Sequence, residues 1–418
     1  MPLRALLLDF NSYFASVEQQ LRPELRGRPI GILPVVAETT CCIAASYQAK
    51  RFGVRTGTLV SEARQLCPDI VFVEARPPVY VEMHHRLMKI VDSIIAVSEV
   101  LSIDEVACDL TGSWQREEVI RELSLKVKAK IRAEVGECLT CSIGIGPNRF
   151  LAKTASNMQK PDGLTVIQES DLPDILYRLK PGDLNGIGRA MLERLNRYGI
   201  YTVEALCQAS REQLRRIWGG VEGERYYDRL RGVEIPHAPT RRGSISHSHV
   251  LPPHLRHMTG AWSVLSKLTQ KAALRLRAEG YLASRLSIRV SWRRREAWEN
   301  SAAFTPMSDT LGFLRILNEL WADRPSHGEP LKIGMVLSEL SPSGQETLAL
   351  FDDGSRHPGL DTAFDKVRRK FGNDALYFGG AFLAAHEASM RIAFNHIPDP
   401  VLEADDGKLG PVLDKRPA

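Results

Sequence analysis

The sequence predicts an α+β protein of several domains, and three observations carry that prediction. Residues 1–165 alternate strand-like and helix-like stretches. From residue 171 to about 231 apolar residues recur at helical spacing with no convincing strand, which marks a small all-helical unit. Residues 244–340 then read β-α-β-β-α-β. A chain of 418 residues has room for roughly two to four domains.

In the first unit, strands are expected over residues 5–9, 30–36, 40–44, 70–74, 103–110 and 140–144. Helices are expected over 13–21, 61–67, 80–96, 117–134 and 149–158. The first strand rests on the apolar run Ala5-Leu6-Leu7-Leu8, closed by Asp9, and Asn11 or Ser12 is placed to cap the next helix. Residues 234–243 form a Pro-containing basic linker. Beyond it the strands fall near 245–250, 284–292, 298–304 and 332–340, and the helices near 259–279 and 310–321. The chain from about 352 ends in Asp, Gly, Pro and Lys, so its end is expected to be mobile. There is no internal repeat.

Composition is that of a soluble globular protein, with no apolar run long enough to span a bilayer. The chain starts at once with strand-like sequence, so no secretory signal is expected. The seven cysteines (Cys41, Cys42, Cys67, Cys108, Cys138, Cys141 and Cys207) are odd in number and scattered, which fits a reducing cytoplasm. Cys138 and Cys141 have zinc-like spacing, but no second pair completes four ligands. His247, His249, His254 and His257 lack a regular ligand spacing and read as a His-rich loop. The net charge of +5 says little; its distribution says more. Residues 241–299 hold twelve Arg or Lys against three acids, and Trp292 and Trp298 flank Arg293-Arg294-Arg295. That segment reads as a surface for a phosphate backbone, or as a solvated face.

Three acids in two separate segments carry the chemistry: Asp9, and Asp104-Glu105. Adjacent residues of a regular strand point to opposite faces, so Asp104 and Glu105 can serve one cluster only where the strand starts or bends. Ser102 suits such a turn-to-strand junction. Three carboxylates at one point repel unless cations compensate, which argues for metal. Two Mg²⁺ ions held this way suit in-line nucleotidyl transfer, one activating the attacking oxygen and one steadying the diphosphate. A helix start beside Asp9 offers N–H groups to phosphate. Tyr47 and Lys50 stand one helical turn apart before Gly53, so both can reach one ligand. A third segment, residues 142–163, has a Gly-rich stretch, a helix and Lys160; the simplest role of its Gly-x-Gly is a tight strand-to-helix turn.

Together these segments resemble the Y-family, translesion DNA polymerases of the DinB and UmuC type. The shared motifs are strand-Asp-Phe-Asn with YFASVE, Y-x-A-K-x-x-G-V, S-I-D-E-V, and S-I-G-I-G-x-N-x-x-L-A-K-x-A-S with K-P-D-G. The resemblance covers roughly the first 350 residues and implies a right-hand polymerase. Its palm would be residues 1–16 and 74–167, its fingers 17–73, its helical thumb 168–233, its linker 234–243 and its little finger 244–345. A clamp-binding motif and tail would fill 346–418. Asp9, Asp104 and Glu105 would hold two Mg²⁺, helped by the carbonyl of Phe10. Backbone amides of Asn11, Ser12, Tyr13 and Phe14 would touch the dNTP triphosphate, and Phe14 would be the steric gate against a ribose 2′-OH. Tyr47, Lys50 and Lys160 would bind the β- and γ-phosphates. Lys153 would serve the helix surface or nearby backbone. Many relatives have Asp at Asn11, Arg at Lys50 and a hydroxyl at Ala44; Arg51 could help Lys50, and UmuC-like members share Asn11 and Lys50.

Gly186 and Gly188 fit a helix-hairpin-helix whose free N–H groups would hold the DNA backbone, with Arg293, Arg294 and Arg295 gripping the duplex from the other side. Thr347-Leu348-Ala349-Leu350-Phe351 looks like a sliding-clamp peptide anchored by Leu348, Leu350 and Phe351; the alternative is a last strand of the domain. Small residues Ala44, Ala45 and Ser46 suggest a roomy nucleotide site, low fidelity and lesion tolerance. The expected function is a template-directed translesion polymerase without proofreading, with primer-template DNA, dNTPs, a clamp and accessory SOS subunits as its partners. Two rivals remain: another two-metal enzyme such as a nucleotidyl cyclase, and a non-catalytic scaffold binding DNA and clamp.

Overall fold

The computed structural model describes residues 2–236, 242–292, 296–325, 328–344, 358–372 and 374–385, with residues 387, 392, 397 and 398. Strand β1 (Ala5–Phe10) leads into helix α1 (Tyr13–Leu21). A small excursion follows: β2 (Ile30–Leu33), β3 (Ala44–Ala45), α2 (Tyr47–Lys50), α3 (Val60–Leu66) and β4 (Val71–Glu74). Its three strands form their own sheet in the order β3-β2-β4. The strand expected over 40–44 shrinks to two residues. The Thr40 hydroxyl donates to the carbonyls of Val35 and Ala37, which closes a loop there instead.

The chain then returns through α4 (Pro77–Asp92), β5 (Glu99–Val100), β6 (Glu105–Asp109), α5 (Glu117–Glu134), β7 (Cys141–Gly146), α6 (Arg149–Met158) and β8 (Leu164–Val166). α4 starts three residues before its expected position because Pro77 and Pro78 fit a first turn, where no N–H is needed. The five strands form a sheet in the order β5-β6-β1-β7-β8, with β1 in the middle. The two-residue β5 and three-residue β8 have no sequence signal of their own and exist as strands through their partners.

The sheet's two faces explain where the acids go. Leu6, Leu8 and Phe10 of β1, with Val106 and Cys108 of β6, belong to the core shared with α4 and α5. Ala5 and Leu7 face the other way and pack with Ala152 of α6. Period-two alternation therefore turns Asp9 and Glu105 toward the α6 face, and the register pairs them directly. α6 lies against β7 because Gly144 has no side chain: a Cβ there would meet the Ala152 carbonyl oxygen at 2.0 Å. Gly144 and Gly146 are thus strand residues under a helix, and Asn148, not Gly-x-Gly, makes the turn, its side chain capping Leu151 N–H at 2.7 Å.

The helical unit comprises α7 (Arg189–Arg197), α8 (Val203–Gln208), α9 (Arg211–Trp218) and α10 (Val221–Leu230). Its core takes in Phe150, Leu151 and Ala155, so α6 is shared between the sheet and this unit. Asn148 fastens the two, donating to the carbonyls of Arg229 and Val233 at 2.9 and 3.0 Å.

The C-terminal domain has β9 (Ser244–Val250), α11 (Met258–Ala278), β10 (Tyr281–Trp292), β11 (Trp298–Met307), α12 (Thr310–Ala322) and β12 (Pro330–Ser338), the expected β-α-β-β-α-β order. Its sheet runs β11-β10-β12-β9, with the core between the sheet and α11 and α12. A short β13 (Ser341–Pro342) pairs with the start of β10. Helix α13 (Pro358–Phe371), which sequence reading did not anticipate, is stitched to this domain. The Asp361 carboxylate accepts from the Thr310 hydroxyl at 2.6 Å, and Asp365 accepts two bonds from Arg277.

Part of the basic segment 241–299, read as a phosphate surface or a solvated face, is paired within the domain. Arg242 and Arg275 bond Glu279, Arg277 bonds Asp361 and Asp365, and Lys267 bonds Asp374. Helical residues on the covered side of the sheet spend their charge internally. Arg293, Arg294 and Arg295 lie outside the described residues, as do Leu348, Leu350 and Phe351. Among the described residues no helix is long and apolar enough to cross a membrane.

Candidate active site

Asp9 is the last residue but one of β1, and Glu105 begins β6 directly opposite. Asp104 sits one residue before that strand, at the expected junction. The Ser102 hydroxyl donates to its carboxylate at 2.6 Å, and its carbonyl accepts the Phe10 N–H at 2.8 Å. The bend lets two adjacent acids approach one place, which a continuous strand would forbid.

Lys153 is where the structure departs most from expectation. Its ammonium lies 2.8 Å from Asp9 Oδ2 and also bonds Glu105, so it belongs to the acidic site and not to the helix surface. Lys160 bonds the other Asp9 oxygen at 2.7 Å. Burial raises the Asp9 carboxyl, but these two ammoniums outweigh it and hold the group below its ordinary value. Glu105 has one ammonium instead of two, and burial leaves it raised. Burial likewise raises Asp104, against the lowering effect of Ser102. The Lys153 ammonium is itself held above its ordinary value: burial opposes the charge, and Asp9 and Glu105 together prevail.

The donor set is all carboxylate oxygen, which suits a hard divalent ion such as Mg²⁺. The desolvated Asp104 and Glu105 lack full compensation by lysine, so the residues fit such an ion. As the side chains stand, with Lys153 between Asp9 and Glu105, the described residues contain no group of three or more His, Cys, Asp or Glu arranged to hold a metal.

Tyr47 and Lys50 approach from the small sheet's side. Ser46 caps their short helix, accepting the Ala49 N–H at 3.3 Å, and Gly53 at φ 92 ends it. The Lys50 ammonium lies 4.6 Å from the centre of the Tyr47 ring. Burial and the nearby Asp9 push the Tyr47 hydroxyl up to about 12. Burial and Lys160 lower Lys50, while Asp9 and Asp104 act the other way. These groups therefore face one space. Arg55, not Arg51, is the arginine that Lys50 feels, a neighbour missed because it lies beyond the Gly53 turn.

Two expectations at the start of α1 need correction. Asn11 does not cap the helix: its buried side chain bonds Ser142, Thr140 and the Asp162 N–H. Its backbone N–H is committed to the Thr140 carbonyl at 2.9 Å, so it cannot serve a triphosphate. Ser12 holds the cap position at φ 48 without a side-chain cap, and its buried hydroxyl oxygen has no hydrogen-bond partner. That orphan, with the first N–H groups of α1, fits an anion. Of the small residues above the site, Ala45 and Ser46 are buried and Ser46 is used as a cap, leaving Ala44 alone half-buried.

Of the three acids, Glu105 opens onto a cleft between the sheet and the helical unit, which Lys153, Asn185, Gly186, Trp218 and Arg229 also line. At its far end Gly186 adopts φ 86 and buried Ile187 plugs the turn, leaving Gly186 and Gly188 exposed. The expected helix-hairpin-helix has α7 on one side but only a single 3₁₀ turn, Pro181–Asp183, on the other.

The profile of the impB/mucB/samB family matches residues 8–157, and that of its C-terminal domain matches residues 242–350. DNA polymerase IV of Moorella thermoacetica is 34% identical over 383 residues, spanning 89% of this chain and 94% of that protein. DNA polymerase IV of Pelotomaculum thermopropionicum is 30% identical over 381 residues, spanning 89% and 93%. Among solved structures, a Y-family DNA polymerase chimera aligns with TM-score 0.69 at 24% identity, over 80% of this chain and 98% of that one. The insertion ternary complex of Dbh DNA polymerase aligns with TM-score 0.55 at 25% identity over the same shares. The chain belongs to the impB/mucB/samB family, the Y-family DNA polymerases of DinB type. It is a translesion DNA polymerase, and a non-catalytic scaffold is not favoured.

Proposed function

We propose that the chain extends a primer 3′-OH with dNTPs at low fidelity, without proofreading, using two Mg²⁺ ions. The observation that carries this is the pairing of Asp9 with Glu105 beside Asp104, with Glu105 lining the cleft that reaches Gly186. Asp9, Asp104, Glu105 and the Phe10 carbonyl would hold the ions, which when bound would activate the attacking oxygen and steady the leaving diphosphate. Ser12, Tyr13 and Phe14 amides, Tyr47, Lys50 and Lys160 bind the triphosphate, and Arg55 reinforces Lys50. Phe14 closes the space at the sugar 2′ position. Half-buried Ala44 leaves room for an altered base pair, which weakens shape selection.

Primer-template DNA runs along the cleft, its backbone on Gly186 and Gly188. The open face of the C-terminal sheet, with Ser246, Ser248, Ser287, Arg289 and Lys332, takes the duplex on the other side, joined by Arg293, Arg294 and Arg295. Leu348, Leu350 and Phe351 tether a sliding clamp in the cytoplasm, raising effective concentration on DNA. Primer extension on plain and abasic templates tests the reading, with Asp104→Ala alongside. Extension that disappears in the variant while gel-shift binding persists supports it; equal extension by both proteins would remove Asp104 from the chemistry.

A further inference from the structure

We propose that the ion pair between buried Glu18 and half-buried Arg76 sets how strictly this polymerase excludes ribonucleotides, acting through Tyr80 on the ring of Phe14. The proposal rests on the reading of Phe14 as the sugar gate. Glu18 and Arg76 touch neither the acids nor the phosphate-binding residues; they are positioning residues.

The connection is a closed loop between two helices. Phe14 and Glu18 stand one turn apart on α1, hence on one face. Across from them on α4, the Tyr80 ring stacks on Phe14 with centroids 4.6 Å apart and planes 18° apart. The Tyr80 hydroxyl donates to Glu18 Oε1 at 2.9 Å. Arg76, at the start of the helix that carries Tyr80, grips both Glu18 oxygens at 3.0 and 2.7 Å. The Tyr13 hydroxyl donates to the Tyr80 carbonyl at 2.7 Å and fixes the same turn of α4. Tyr80 and Glu18 are fully buried, whereas Phe14 is only half-buried.

A gate excludes by repulsion, which falls off steeply with distance, so its stringency depends on what stands behind the ring. A Phe14 ring with soft backing could tilt and admit a 2′-OH. With Tyr80 flat against it and held at the hydroxyl end, the ring cannot retreat. A buried carboxylate is a poor choice for stability alone, because desolvation offsets most of the attraction, and an apolar residue would fill the space as well. What the pair supplies is a defined position: two donors on Arg76 and one on Tyr80, with the Arg22 guanidinium 3.4 Å from the same carboxylate, fix it and with it the relative placement of α1 and α4.

The experiment measures kcat/KM for a dNTP and its matching rNTP in the full chain, for wild type, Phe14→Ala, Glu18→Gln, Arg76→Lys, Tyr80→Phe and Tyr80→Leu, with melting temperatures alongside. Phe14→Ala is expected to admit ribonucleotides. Glu18→Gln and Tyr80→Leu are expected to lower the dNTP/rNTP ratio by about tenfold while dNTP incorporation stays close to wild type. Tyr80→Phe keeps the stack and loses only the hydroxyl, and Arg76→Lys loses the two-pronged grip; both should fall between. Tyr80→Phe is nearly isosteric and decides the matter should Glu18→Gln fail to fold. If Phe14→Ala relaxes sugar selection and every buttress variant keeps the wild-type ratio, the pair is merely structural and the proposal is overturned. If Phe14→Ala leaves the ratio unchanged, the gate reading itself fails, and the proposal with it.

Discussion

The side-chain oxygen of Asn11 accepts a hydrogen bond from the backbone N–H of Asp162 at 2.8 Å. Asn11 directly follows the middle strand of the sheet; Asp162 lies in the turn Lys160-Pro161-Asp162-Gly163. The same amide donates to Ser142 Oγ at 3.0 Å, and the Ser142 hydroxyl donates to the Gln159 carbonyl at 3.2 Å. Lys128 closes the turn from outside, bonding the Asp162 carbonyl and carboxylate, each at 2.7 Å. This network holds the turn from which Lys160 reaches Asp9. Asn11→Ala should destabilise the protein by about 1–3 kcal/mol, since it strands buried polar groups. It should also weaken dNTP binding by loosening Lys160. Asn11→Asp keeps the acceptor for Asp162 and should bind dNTP more tightly than the alanine variant. Urea denaturation and single-turnover dNTP titration check both, and wild-type dNTP affinity in Asn11→Ala would refute the link.

Lys153 bridges Asp9 and Glu105 from α6. Lys153→Met leaves two partly buried carboxylates short of a cation, and should cost about 2–3 kcal/mol of stability in chelator. Added Mg²⁺ should stabilise this variant more than the wild type, since an ion bound only by the folded state shifts the equilibrium toward it. Unfolding in urea, with and without Mg²⁺, measures the difference; an equal Mg²⁺ shift in both proteins would count against it.

His84 packs under the acidic turn, its Nδ1 2.8 Å from the Ile103 carbonyl, and is 2% exposed. Burial, aided by His85, holds its pKa below the ordinary 6.5, despite the Ile103 bond. The unfolded chain therefore takes up a proton more readily than the folded one. The contribution is absent above the ordinary value, and stability falls as pH drops through 6.5 toward the folded value. His84→Asn retains a donor and cannot titrate. Melting temperatures between pH 7.5 and 5.5 should fall less steeply in the variant than in the wild type; parallel curves would exclude His84 as the source.

Replacing Leu350 and Phe351 with Ala should abolish stimulation by a sliding clamp and spare basal primer extension. Loss of basal extension, together with a lowered melting temperature, would assign the segment to the folded domain as a last strand.

Much of this protein was legible along the chain. The apolar run ending in Asp9, the Ser102 junction before Asp104 and the helical spacing of Tyr47 and Lys50 are local patterns, and the structure places each as they imply. Lys153 was misread because helical periodicity tells which residues share a face, but not what that face meets. The absence of a Cβ at Gly144 lets α6 settle on β7, and Lys153 thereby reaches the acids. The pairing inside the basic stretch was illegible for a related reason: charge can be counted in sequence, but α11 turns its arginines toward Glu279, Asp361 and Asp365.

The sequence alone determined the succession of elements and the identity of the acids, because strand and helix periods and the spacing of the motifs are properties of neighbouring residues. The tertiary structure decided which of those residues share a site. Asn11 with Asp162, Lys153 with Glu105, and Phe14 with Tyr80 and Glu18 meet only because distant strands and helices are packed together. Burial then sets the strength of each contact, by removing the water that would otherwise screen it.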